Sequence, residues 1–305
     1  MTKFDPALAG SQVPEAAPPA KPTRPKTDAG PGGAGRRPRL QPPAKGIFRW
    51  LRPKLPTSVG QLDVRVHTER VGPDREEVLD WLGKELLRNY VAPGELETIF
   101  KDLGVPEVAD YLNNNKFPSD PKIRTGDFGE VLTGRLLRDD QWCVPVLKLR
   151  YKQRPDQPAQ GADALAFRLQ ETPPVVAVPE AKTRAVRDYK VEREASTSLD
   201  RSVKDLPQSL AFIVARLNGE GKKGLAVRVA ELLLSPYKIQ RGIVIVHDDE
   251  SWTDKITDRL ANVVSDATRL TVVRVRGLSG LIEDAYRTAA GRPKAHSAGK
   301  VAKSA

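Results

Sequence analysis

Apolar positions along the 305-residue chain change their period several times, and each change marks an expected element. Leu62, Val64 and Val66 alternate with polar neighbours, which predicts a strand over Gln61–Thr68. Asp74, with Glu77 three residues on, has the spacing of a capping box. It opens a helix whose Val78, Leu79, Leu82, Leu86, Leu87 and Tyr90 recur at helical spacing. Two short helices are expected around Glu95–Leu103 and Glu107–Asn113. A longer one follows, with Phe128, Val131, Leu132, Leu136 and Leu137 as its apolar stripe. In Val144–Lys152, the residues Val146, Lys148, Arg150 and Lys152 alternate with Leu147, Leu149 and Tyr151, which predicts a strand. Ala164–Leu169 predicts a second and Pro173–Lys182 a third. The pattern then gives helices near Ser202–Leu217 and Leu225–Leu234, a strand at Gly242–Val246 and a helix at Trp252–Val264. A strand at Leu270–Val275 and a helix at Leu278–Thr288 close the order. Helix, three strands, then helices alternating with strands is the order of a mixed α/β sandwich.

Within this order, the third strand carries unusual chemistry. Val175-Val176-Ala177-Val178 is an apolar run of the kind covered on both faces, yet Pro179-Glu180-Ala181-Lys182 follows it directly. Alternation puts Glu180 and Lys182 on one face and Ala181 on the other. Charges so placed cost desolvation energy unless a partner or a metal compensates them. Pro179 is expected to mark the strand's end or a bulge that aims these two side chains into a cleft. Asp163, at the start of a neighbouring strand, converges with Glu180 if the two strands are adjacent; the other readings are a turn residue at Asp163 and a mutual ion pair of Glu180 with Lys182. Two or three carboxylates at one point hold their charge only around a cation, and hard oxygen ligands favour Mg²⁺, with Mn²⁺ as a substitute. Glu130, on the preceding helix, is a further candidate, although Asp127 and Glu130 also have the spacing of a helix-start capping box. Lys148, Arg150 and Lys152 would share one strand face and could contact nucleic-acid phosphates. His247-Asp248-Asp249-Glu250 reads as solvated loop rather than as a metal cluster.

Composition restricts the alternatives. Of the net +11 charge, residues 1–56 carry +8 and 288–305 carry +4, so the body between them is nearly neutral. Residues 1–56 also hold 12 of the 26 prolines. Such a segment cannot bury enough apolar surface to offset its ordering entropy, so it is expected to be disordered, with Ile47–Leu51 as a short anchor packed on the domain edge. The expected organisation is a disordered basic tail over 1–56, a strand and small helical lobe over 57–122, an α/β catalytic domain over 123–287 and a second basic tail over 288–305. A single cysteine, Cys143, rules out an intramolecular disulfide and a thiolate zinc site. With no signal-peptide pattern and no apolar run long enough to span a bilayer, a cytoplasmic protein is expected, without membrane contact. No glycine-rich dinucleotide loop or Walker loop is found.

Asp163, the 16-residue gap that follows it, and Glu180-Ala181-Lys182 together resemble the PD-(D/E)xK nuclease superfamily, and Glu130 matches the subgroup with a glutamate on the first core helix. A narrower resemblance runs through Gly126-Asp127-Phe128-Gly129-Glu130, Leu147–Lys152, Gln160–Asp163 and Glu180–Arg184. Over roughly 123–290 the chain is similar to HamA, the nuclease family of the Hachiman anti-phage system. This resemblance implies a restriction-endonuclease-like core, a mixed sheet flanked by helices. It also implies a Mg²⁺-dependent deoxyribonuclease that cleaves DNA when released by a superfamily 2 helicase subunit (HamB-like). Asp163, Glu180 and the Ala181 backbone carbonyl would bind the metal, Glu130 would complete the site, and Lys182 would orient or activate the nucleophile. A stand-alone restriction or repair nuclease, or a non-catalytic platform binding DNA or the helicase, are the other readings.

Overall fold

A computed structural model of the chain describes residues 46–96, 98, 108–158 and 162–297. Its centre is a mixed sheet of strands β1 (Leu51–Pro53), β2 (Thr57–Val59), β3 (Leu62–Glu69), β4 (Ala166–Arg168), β5 (Val175–Arg184), β6 (Lys238–Asp248) and β7 (Thr268–Val275). Their order is β1-β3-β7-β6-β5-β4, with β2 also pairing β3. The four central strands β3, β7, β6 and β5 are parallel, while β1, β2 and β4 add antiparallel edges.

Burial follows from alternation along doubly covered strands. On β6, Val244 and Val246 face α1 (Arg75–Tyr90), α3 (Pro121–Asp139) and α8 (Leu278–Ser297). Ile243 and Ile245 face the other layer, made of α4 (Val191–Lys204), α5 (Leu206–Gly219), α6 (Lys223–Ala230) and α7 (Lys255–Val263). Helix starts obey local chemistry. Asp74 caps α1 by accepting from the Glu76 N–H at 3.0 Å, and Asp120 caps α3 by accepting from Lys122 N–H at 2.7 Å, with Pro121 at the first helical position. Among the described residues, no helix is long and apolar enough to cross a membrane.

Several expectations are corrected. β3 pairs with β7 along its length, so the segment after residue 57 supplies a strand to the central sheet rather than a separate lobe, and no boundary falls at 122. Residues 46–56 are not an unstructured tail, although the anchor expected at Ile47–Leu51 does pack: Ile47, Trp50 and Leu51 are buried, and the Ile47 N–H donates to Asp139 at 2.8 Å. The last helix continues past Thr288 to Ser297. The helix expected at Glu107–Asn113 is α2 (Val108–Tyr111), continued by a π turn over Leu112–Lys116. Most of the helix expected at Glu95–Leu103, and the predicted disorder of residues 1–45 and 298–305, lie outside the described residues.

The strand expected over Val144–Lys152 does not form. Only Cys143 pairs, exchanging two hydrogen bonds with Phe167. The next residue whose N–H would face Phe167's strand is Pro145, which has none, so the ladder stops and Lys148–Tyr151 folds as a 3₁₀ turn. Pro179 likewise departs from expectation. It lies inside β5, in unbroken register with Gly242 of β6, and no bulge is present. β4 ends opposite Ala177, leaving β5 open on that side beyond it. Nitrogens two apart on a strand point the same way, and the Ala181 N–H points away from β6 to Asp163. The Pro179 nitrogen therefore faces the open side, where no ladder bond is lost.

Candidate active site

The open edge of β5 is where the candidate residues meet. β5 carries Glu180 and Lys182 in its interior, on the face packed by α4, and their side chains form an ion pair of 2.7 Å. Asp163 precedes β4 by three residues, in a bend rather than at a strand start. One of its oxygens accepts from the Ala181 N–H at 2.7 Å. The carboxylate thus caps the unpaired edge of β5 at the residue between Glu180 and Lys182. Because a strand residue directs its N–H and C=O to the same side, the Ala181 carbonyl faces this edge as well.

Glu130 reaches the site from the opposite layer. α3 can lie close to β5 because residue 129 is glycine: a Cβ there would collide with Thr183 Oγ1, itself buried. The helix starts nine residues before Glu130, so Asp127 and Glu130 are mid-helix residues and the capping-box alternative falls away. Asp127 is buried instead, paired to Lys152 Nζ at 2.6 Å and accepting from the Tyr90 hydroxyl, which contacts the Tyr286 hydroxyl at 2.9 Å. This network joins α1, α3, α8 and the 3₁₀ turn directly behind Glu130.

Lys148 lies between the acids. Its ammonium is 3.2 Å from Glu130 and 3.4 Å from Asp163, and its side chain is 11% exposed. Burial acts against its charge, but the two carboxylates outweigh burial and raise its pKa. Burial pushes the Glu130 carboxyl well above the usual carboxylate range; Lys148 opposes this, and Asp163 and Asp127 add to it. Glu180 is also raised, first by burial and then by the charge of Asp163, against the pull of Lys182. The mutual repulsion of Asp163 and Glu180 is an unfavourable electrostatic arrangement that a bound cation would relieve.

The structure therefore brings Glu130, Asp163, Glu180, Lys182 and the Ala181 backbone to one edge. It does not assemble the phosphate-contacting face expected of Lys148, Arg150 and Lys152. With no strand there, Lys148 and Lys152 turn inward to buried carboxylates, and Arg150 donates to the Arg88 carbonyl at 2.8 and 3.1 Å. Among the described residues, no three acidic, histidine or cysteine side chains are grouped as a ready metal cage. The donors fit a hard divalent cation in kind: two carboxylates and a carbonyl on one strand edge. Of His247-Asp248-Asp249-Glu250, the first two close β6, with His247 fully buried rather than in a solvated loop, and the last two begin the turn after it. Asp248 accepts from Leu278 and Glu250 N–H groups, and Asp249 pairs with Arg274 at 2.7 Å.

Sequence reasoning missed the central place of Lys148; the apolar Leu147 and Leu149 beside it signalled a lysine in a buried context. It also missed α4, whose buried stripe of Val191, Ala195 and Leu199 is narrow and set among Ser, Thr and charged residues. A family model, HamA, matches residues 47–289. No curated protein matches the chain.

Proposed function

The chain belongs to the HamA family, and from that premise and the geometry of the β5 edge we propose that it is a Mg²⁺-dependent deoxyribonuclease. Membership makes it a Hachiman-associated defence protein. On this reading it is the nuclease subunit that a superfamily 2 helicase restrains and releases onto DNA. The observation that carries the reading is the convergence of Asp163, Glu180 and Lys182 at Ala181, with Glu130 behind.

Asp163, Glu180 and the Ala181 carbonyl would hold Mg²⁺ or Mn²⁺, with Glu130 completing the site directly or through water. A cation there supplies Lewis acidity toward a phosphate oxygen and lowers the pKa of water. Lys182, which is 18% exposed, reaches out from the edge to orient the attacking water and to offset charge developing on the phosphoryl oxygens. Hydrolysis then forms one P–O bond to the water oxygen and breaks the P–O bond to the leaving sugar oxygen. Lys148 pairs with both Glu130 and Asp163 and so offsets part of the negative charge gathered beside the reacting phosphate.

The test is DNA cleavage by the full-length protein, alone and with its helicase partner. Cleavage is expected in Mg²⁺ or Mn²⁺ and none is expected with a chelator. Cleavage that persists undiminished in the chelator contradicts the metal-dependent reading, and no cleavage in any of these mixtures favours the platform reading.

A further inference from the structure

Lys182 forms one wall of a cleft of about 620 Å³ that continues away from the acids between α4 and α7. Its floor follows one face of α4. Lys190, Arg193, Thr197 and Arg201 line it at intervals of three, four and four residues, which keeps them on one helical face. The steps rise about 4.5–6 Å along the axis, distances on the scale of successive phosphates of an extended strand.

The charge of this cleft is positive in effect as well as in composition. Its two acids are already engaged: Glu192 pairs with Arg259 at 2.5 Å and Glu194 with Arg184 at 2.6 Å. Within the described residues, no ion pair engages the side chains of Lys190, Arg193 or Arg201, and all three are exposed. A stripe of exposed cations without acidic partners attracts a polyanion laid along it.

In the same cleft as Lys182, and next to Lys190 at the start of the stripe, stands Tyr189, 68% exposed, with the Arg259 guanidinium 5.7 Å from its ring centre. An aromatic ring left in water and backed by an arginine is a platform for a nucleobase. Only an unpaired base can offer its face to such a ring; in a duplex that face is occupied by stacked neighbours.

We propose that the α4–α7 cleft is a track for single-stranded DNA, in which Tyr189 stacks on a base next to the scissile phosphate and Lys190, Arg193 and Arg201 hold the phosphates that follow. The position of the scissile phosphate rests on the nuclease reading above; the binding track does not, and its test is one of binding.

The experiment measures fluorescence anisotropy of a labelled oligothymidylate and of a mixed-sequence duplex, with full-length protein in a chelator, over a series of salt concentrations. Tyr189→Ala is expected to weaken oligothymidylate binding by about 5- to 150-fold, the equivalent of losing one base–aromatic stack. It should leave the salt slope and duplex binding as they are, and Tyr189→Phe should restore affinity. Arg193→Ala with Arg201→Ala is expected to make the log–log salt slope shallower by about 1.4. The basic termini contribute equally to every variant, so the differences report the cleft. All three substituted residues are exposed, so unchanged melting temperatures are expected. Wild-type affinity and slope in both variants, or equal losses on single strand and duplex, overturn the track. If the wild-type protein fails to cleave DNA yet these binding changes occur, the nuclease reading falls and the track stands. If it cleaves and the variants bind as wild type, the reverse holds.

Discussion

Asp163→Asn combined with Glu180→Gln is expected to reduce Mg²⁺-dependent DNA cleavage by at least about 10²–10³-fold, the effect of removing a group that stabilises charge in the transition state. The substitutions preserve shape. An asparagine at 163 still presents a carbonyl oxygen to the Ala181 N–H, the contact that ties the β4 approach to the β5 edge. A glutamine at 180 removes a charge that Asp163 repels but that Lys182 pairs with at 2.7 Å, so two opposing effects act on the folded state there. The double variant should therefore lose far more activity than any change in its melting temperature accounts for. Cleavage rates and thermal melts on the same preparation separate this outcome from simple unfolding.

The opposite pattern is expected of Lys152→Met. Lys152 and Asp127 are 4% and 3% exposed and pair at 2.6 Å. Removing the lysine leaves a buried carboxylate whose remaining partner is a tyrosine hydroxyl. The expected loss is about 3–5 kcal/mol of folding stability, read from the midpoint of denaturant unfolding. Adding Asp127→Asn should recover part of that loss, because the second substitution removes the stranded charge. Since Asp127 lies one helical turn before Glu130, activity should fall together with stability in Lys152→Met.

How far the sequence reaches depends on what each signal measures. The apolar runs of β5, β6 and β7 identify themselves because strands covered on both faces leave little room for polar residues. Glu180 and Lys182 stand out for the same reason, as charges where that composition should have continued. The pairing of Asp163 with the Ala181 amide is beyond any pattern, since it depends on β4 stopping short and leaving the β5 edge open. The false strand at Val144–Lys152 shows the limit of alternation: a polar–apolar repeat of period two appears when lysines point inward to acids as well as outward to water. One proline, Pro145, decided against the ladder, while another, Pro179, was harmless because its nitrogen faces the open edge. α4 escaped notice because burial against β5 and α7 stabilises it rather than intrinsic propensity, and it brought with it the cleft beside Lys182.

Binding of the cation itself is the most direct test. Mn²⁺ titrated into full-length protein with an uncleavable DNA oligonucleotide, and followed by the electron paramagnetic resonance signal of the free ion, should show saturable uptake by the wild type. Uptake should be lost in the Asp163→Asn, Glu180→Gln variant. Equal uptake by the variant, or none by the wild type, would contradict the assignment of the β5 edge as the metal site.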